Sequence, residues 1–168
     1  MDTLKNKVAF VTGSSRGIGA CIAKVFAEAG AAVAVHGRDL SALSAVEAEI
    51  ERLGGPSVSV VGDVTSFADL ETMRHQIEHS LGPIDIAVAN AGGSLTMPAP
   101  IEEISEDGWR ASVEGNLTAT FLTIKSVLPG MKARNAGNII TISSAAGRRA
   151  PLPLRVYGTP SWRGSMRA

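Results

Sequence analysis

One cysteine, Cys21, stands in 168 residues, so no disulfide can close within the chain, and the low thiol content fits a reducing cytoplasm. No apolar stretch is long enough to span a bilayer, and no basic-then-apolar leader opens the sequence, so neither a membrane span nor secretion is expected. Aromatics make up only 4% of the residues, whereas Ala, Val, Ile and Gly are plentiful. That mix suits helices packed through small side chains on a parallel sheet, whose buried strands read as Val/Ile-rich runs. Acidic residues stop at Glu114, and every charged residue after it is Lys or Arg. A basic surface for acidic ligands or nucleic acid is one reading, but no nucleic-acid motif accompanies the charge. Solvated loop charges, or an ending that is not native sequence, account for it more simply.

What is present is an ordinary soluble composition, 45% apolar and 19% charged with zero net charge, in a length that suits one domain and not two. Strand and helix patterns alternate. Residues 8–12, 32–36, 58–61, 84–89 and 138–142 read as strands. Ile18, Ile22, Val25 and Phe26 recur at helical spacing before Gly30; Leu40, Leu43, Val46, Ile50 and Leu53 do so before Gly54-Gly55-Pro56. Leu70, Met73 and Ile77 give a third helix its stripe. Ser105, followed by Glu106 and Asp107, predicts a helix cap, and the long helix that follows runs from near Trp109 to about Lys132, with an interruption near Pro129-Gly130. Such alternation implies right-handed crossovers and a parallel sheet covered on both faces.

In sheets of this kind ligands bind at the carboxyl ends of the strands, where strand order reverses. The first strand ends in Thr12-Gly13-Ser14-Ser15-Arg16-Gly17-Ile18-Gly19, with a helix directly behind. Glycines allow a tight turn and a close approach to a pyrophosphate, and the helix N-terminus offers N–H donors. This motif resembles that of the classical short-chain dehydrogenases/reductases, and further matches follow in order. Asp63-Val64 is similar to the family's adenine-contacting pair. Asn90-Ala91-Gly92 is similar to its Asn-Ala-Gly signature. Asn116 stands where the family keeps an active-site Asn, and Ser143-Ser144 is followed by Tyr157 at the family's Ser–Tyr spacing, the catalytic serine being Ser144. The resemblance runs from about Lys7 to Thr159.

The resemblance implies a Rossmann-like, doubly wound α/β fold in the order 3-2-1-4-5, incomplete on the side of the family's sixth and seventh strands. It implies one dinucleotide-binding domain over residues 1–158, with residues 159–168 a tail outside the pattern. Gly13, Ser15, Arg16, Gly17, Ile18, Gly19, Arg38, Asp63, Val64, Asn90, Ala91 and Gly92 are the implied cofactor residues. NADP(H) is favoured over NAD(H), because an NAD site holds the ribose 2′-hydroxyl with an acid near the end of the second strand. Here that strand ends Val35-His36-Gly37-Arg38, and Arg38 with Arg16 suits a 2′-phosphate; Asp39 falls one place late and suits the next helix start, as does Ser41. By the family mechanism Tyr157 protonates the carbonyl oxygen, Ser144 hydrogen-bonds it, and Asn116 helps hold a water of the proton relay. The implied partner is a small carbonyl or alcohol substrate, with 3-oxoacyl-carrier-protein reductases among the closest-looking relatives; no nucleic-acid or membrane partner is expected. Members of the family are usually homo-oligomeric.

One match fails. The family places a lysine four residues after the tyrosine, where it lowers the tyrosine pKa from near 10 and grips the nicotinamide ribose. Here position 161 is Ser161, and Pro160 and Gly164 do not suit a helix start. A one-base deletion near the Thr159 codon accounts for this ending, because the shifted frame can read Ala-Lys-Leu-Ala followed by apolar residues, given suitable codons. A genuine short paralogue is the rival. Either way the expected activity of the chain as written is negligible, and a non-catalytic nucleotide-binding or interaction protein is the alternative class.

Other features read more plainly. His75 and His79 lie four apart, a spacing metal ligands use, but with no third ligand they read as solvated surface residues. Cys21 reads as a small buried hydrophobe. Met97, Pro98 and Pro100 lie where the family shapes its substrate pocket, and Arg148, Arg149 and Arg155 flank the Ser–Tyr segment, where an acidic substrate could meet them.

Overall fold

Short runs of Val, Ile and Ala that can be buried on both faces form the five strands, β1 (Val8–Val11), β2 (Ala32–Gly37), β3 (Ser57–Val61), β4 (Ile86–Ala89) and β5 (Asn138–Thr141). All are parallel, in the order β3-β2-β1-β4-β5 expected from the sequence. The structure is a computed structural model that describes residues 3–97 and 99–144. Side chains alternate between the two faces, as strand geometry requires. Ala9, Val11, Val33, Val35, Ile86 and Val88 meet α1 (Gly17–Glu28) and α2 (Leu40–Arg52). Val8, Phe10, Ala34 and Ala87 meet α3 (Phe67–Ser80) and α5 (Ala119–Ala133).

Strand β4 begins at Ile86, two residues later than the apolar run suggests. Asp85 breaks the run usefully: its carboxylate Oδ2 accepts from Val8 N–H at 3.0 Å, and the Ile84 carbonyl is taken by the Arg134 guanidinium at 2.8 Å. These contacts fasten the end of the strand, where the Asp85 backbone also bonds to Val8 and Asn138.

The buried face of α1 differs from the expected one. Gly19, Ala20, Ala23 and Ala27 face the sheet, while Ile18 and Val25 are exposed and Ile22 and Phe26 lie half-buried along the flank. Small residues bring the helix close to the turn that precedes it. A Cβ on Gly19 would run into the Gly13 carbonyl and stand 2.6 Å from Asn90 Nδ2, so larger side chains are displaced to the sides. Cys21, expected to be buried, is exposed on the same helix for the same reason. In α2 and α3 the expected stripes hold at Leu43, Val46, Ile50 and at Leu70, Met73, Ile77, but the end residues Leu40 and Leu53 are exposed. His75 and His79 are exposed.

The cap stands where expected and the helix begins directly behind it, ahead of Trp109, with the Ser105 hydroxyl accepting from Gly108 N–H at 3.1 Å at the head of α4 (Glu106–Val113). It is not interrupted near Pro129: α5 runs through to Ala133. Pro129 and Lys125, whose carbonyl would have been its partner, lie on the exposed side, where water can satisfy that oxygen. The irregularity lies earlier, in a π-helical turn over Glu114–Thr118, where Ala119 N–H reaches back to the Glu114 carbonyl. Among the described residues no helix is long and apolar enough to cross a membrane.

Candidate functional site

The β1–β4 pair lies where strand order reverses, and side chains fasten its carboxyl end. Thr12 Oγ1 donates to the Val88 carbonyl at 3.1 Å and accepts from the N–H groups of Asn90 and Ala91, each at 3.0 Å. Asn90 Nδ2 returns to the Thr12 and Gly13 carbonyls at 2.9 and 3.1 Å. The chain then turns through Gly13, whose φ of +65° favours glycine and whose Cβ would stand 2.9 Å from Ala91 Cα.

From the other side β2 grips the same turn. Ser14 Oγ donates to the Val11 carbonyl and accepts from His36 N–H, both at 2.8 Å. Gly13 N–H donates to His36 Nδ1 at 2.9 Å, and His36 Nε2 lies 3.1 Å from the Gly62 carbonyl. A backbone N–H only donates, so Nδ1 is the bare nitrogen and Nε2 carries the hydrogen given to Gly62. His36 is buried, and that burial holds its pKa below the ordinary imidazole value. The Gly62 bond and Asp63 pull the other way, and Arg38 adds a further depression.

A second set of contacts ties the loop after β4 to the long helix. Asn116 Oδ1 accepts from Gly93 N–H at 2.9 Å, and its Nδ2 donates to the Gly93 carbonyl at 3.1 Å and to the Ser112 carbonyl at 2.9 Å. Its side-chain amide is therefore committed to backbone, and its own carbonyl accepts from Thr120 Oγ1 at 2.7 Å. A Cβ on Gly115 would collide with Leu95 Cδ1, so the loop lies directly on the π turn. Such turns recur at functional sites.

Between these fasteners lie two adjoining cavities. One, of about 370 Å³, is walled by Gly13, Ser15 and Arg16 of the glycine turn, by Arg38, and by Asp63 and Val64 beyond β3. The other, of about 450 Å³, runs past Gly17, Ile18 and Gly19 to Asn116, Ser143 and Ser144. Asn90, Ala91 and Gly92 border both. The fold thus gathers every site residue expected from the sequence that lies among the described residues. Tyr157, Ser161, Pro98 and the arginines at 148, 149 and 155 fall outside them.

Two arginines, Arg16 and Arg38, and two acids, Asp63 and Glu114, line the first cavity. Arg16 and Arg38 are both exposed at its rim. The nearest acid on β2's side, Asp39, caps α2: its Oδ1 accepts from Ser41 N–H and Ser41 Oγ at 2.9 Å and from Ala42 N–H at 3.3 Å. These bonds, the Ser41 hydroxyl first, hold its pKa below the carboxylate norm. Ser41 serves the cap as a donor to Asp39. Asp63 Oδ1 is likewise taken by Thr65 N–H and Oγ1, each at 2.8 Å, which depress its pKa. The α1 N-terminus, by contrast, has no side-chain cap.

Sequence reasoning did not single out His36 or the Thr12 hydroxyl as fasteners. A histidine ending an apolar strand carries no signal of its own, and the Thr12 partners are dozens of residues away.

A parallel sheet with this reversal, a glycine turn opening onto a bare helix end, and an Asn-bearing π turn across the crevice define a dinucleotide-fold protein of the short-chain type. The profile of the short chain dehydrogenase family matches residues 7–160, and the chain belongs to that family. The oxidoreductase asL5 of Sarocladium schorii is 36% identical, over 98% of this chain and 68% of that protein. A metagenomic short-chain oxidoreductase solved in complex with NADP is similar at 36% identity and a TM-score of 0.80, over 88% of this chain and 66% of that one. An NAD+-bound xylitol dehydrogenase is similar at 31% identity and a TM-score of 0.84, over 88% and 56%. The chain spans about three fifths of the length of the solved structures it matches.

Proposed function

We propose that the crevice binds a nicotinamide dinucleotide, NADP(H) in preference to NAD(H), and serves hydride transfer between a small carbonyl compound and its alcohol. The observation that carries this reading is the uncapped N-terminus of α1 facing cavities kept open by Gly13, Gly19 and Gly92. The unpaired N–H groups and the dipole end of the helix suit a pyrophosphate, and side chains at these glycines would fill or distort the cradle. The residues present therefore fit the cofactor of the family. Asp63 and Val64 border the adenosine end. Arg16 and Arg38 receive the 2′-phosphate, a role supported by the absence of an acid at the tip of β2 and by the engagement of Asp39 in its cap.

The dinucleotide, when bound, supplies or accepts the hydride. Ser144, at the border of the second cavity, donates to the substrate oxygen and stabilises its developing charge, and Tyr157 gives that oxygen its proton. Asn116 acts through position: its amide holds Gly93 and so sets the loop beside the second cavity, while its backbone carbonyl accepts from Thr120 Oγ1. With Ser161 where the resemblance calls for lysine, the chain lacks the positive charge that the family sets one helical turn from its tyrosine, and as written it turns over negligibly. That same residue favours a second reading, a nucleotide-binding protein without catalysis.

Titration of the chain with NADPH and NADH, followed by assay on ketones, separates these readings. Saturable binding about tenfold tighter for NADPH, the weight of one charge-assisted contact, with no ketone reduction, is expected. Robust reduction sinks the impairment, equal affinities sink the NADP preference, and no binding sinks the cofactor reading.

A further inference from the structure

His36 occupies a position in which its charge state and the shape of the cavity are tied together. Its ring lies between three strand ends, taking the Gly13 N–H on one nitrogen and giving a hydrogen to the Gly62 carbonyl with the other. The edge of the ring faces Phe10 at a centroid distance of 6.2 Å, so no water layer intervenes on that side. We infer that His36 is a positioning residue for the dinucleotide: as a neutral imidazole it holds the Gly13 end of the glycine turn at the correct distance from β3, and taking up a proton releases the turn. The inference rests on the dinucleotide reading given above.

The proton has one place to go. Nε2 already carries hydrogen, so protonation adds N–H at Nδ1, where it confronts the Gly13 N–H. Two donors then face each other, Gly13 loses its acceptor, and the turn must move or the ring must swing out. No bond is broken other than this hydrogen bond, and the process reverses on deprotonation. The charged groups facing the ring are Arg38 on its own strand, which opposes the cation, and Asp63 beyond β3, which favours it. Arg16 of the glycine turn and Glu114 of the long helix border the same cavity. From β1 the ring meets Phe10, and Ser14 bonds its backbone; neither titrates in this range. Burial is the largest influence and keeps the imidazole neutral at neutral pH.

The sign follows. A folded pKa below the unfolded one means that the neutral clamp is intact above about pH 6.5 and is lost as pH falls through the lowered value. The dinucleotide's phosphates also titrate, so a control that keeps the clamp without the proton is needed. H36N offers its side-chain oxygen in place of Nδ1, and H36L offers nothing.

The experiment is calorimetric titration of the full chain with NADP+ from about pH 8 to about pH 5. Expected is H36N binding within about threefold of wild type at the upper pH, and H36L about tenfold weaker, the weight of one lost hydrogen bond to a buried donor. On acidification the affinity of wild type relative to H36N should fall, by up to about tenfold per pH unit once the imidazole takes up its proton. A ratio that does not change with pH overturns the inference, as does an H36N variant as weak as H36L at the upper pH. Binding that is absent in wild type at every pH overturns the dinucleotide reading and this inference with it, whereas binding with a flat ratio overturns this inference alone.

Discussion

The N-terminus of α1 and those of α2, α3 and α4 are built in opposite ways. Asp39, Ser66 and Ser105 each turn a side-chain oxygen onto the first N–H groups of their own helix. Arg16, in the equivalent place on α1, has no side-chain acceptor to turn inward, and Gly17 follows it directly. Three helices satisfy themselves and one leaves its donors for something else. The comparison shows that the site was made by withholding a cap as much as by placing a residue. It also explains why the same helix carries its small residues toward the sheet: the open end must come close to β4, where Asn90 receives it.

The comparison can be broken most severely at Gly19. Replacing it with Val drives a side chain into the Gly13 carbonyl and Asn90, and overpacking against backbone should cost more than about 3 kcal/mol and abolish dinucleotide binding, read by denaturant unfolding and by titration. Next in size is Asn90→Ala, which removes both carbonyl contacts of the amide; a loss of about 2 kcal/mol in urea unfolding is expected, and an unchanged midpoint would show the fastening to be idle. Arg38→Ala should weaken NADPH about tenfold and leave NADH unaltered, measured by fluorescence titration; an equal loss for both would remove the 2′-phosphate from the account.

Ser66→Ala sharpens the contrast from the other side. It bares the end of α3 and should lower stability by about 1 kcal/mol, or about 2–4 °C in melting temperature, while dinucleotide affinity stays the same, since exposed donors without a cradle do not make a site. The smallest effect is expected from acid. Because its partners depress the Asp39 pKa, the contribution of this cap is complete above the ordinary carboxylate value and is lost as pH falls through the lowered one. Asp39→Asn keeps an acceptor that cannot ionise, so its melting curves should depend less on pH in that acidic window than those of wild type.

Much of this was legible because the sequence states it locally. The covered parallel sheet follows from alternation plus the handedness of crossovers, its strand order follows from the family resemblance, and the caps at Asp39 and Ser105 announce themselves beside the helices they start. The failures share a cause: hydrophobic periodicity registers size and apolarity but not how near two elements come. On α1 it selected Ile18 and Val25, two branched apolar residues, when closeness had reserved the inner face for Gly19, Ala20, Ala23 and Ala27. It set the helix break at Pro129, whose missing N–H is harmless on a wet face, and passed over the π turn, from which Asn116 grips Gly93. His36 was silent for a related reason, since its meaning comes from partners at Gly13 and Gly62 that only the folded chain assembles.

The π turn has a consequence for helical phase. From Ser112 to Met131 the buried stripe takes five steps, through Asn116, Ala119, Thr123 and Val127, and these use nineteen residues where a regular helix would use about eighteen. The widened turn is a single-residue advance, inserted where the crevice needs it, that lets one helix present Asn116 to the loop and Val127 and Met131 to the sheet without twisting out of register. Removing one residue from it would swing the two ends about 100° apart around the axis, so that either the crevice or the core would face solvent.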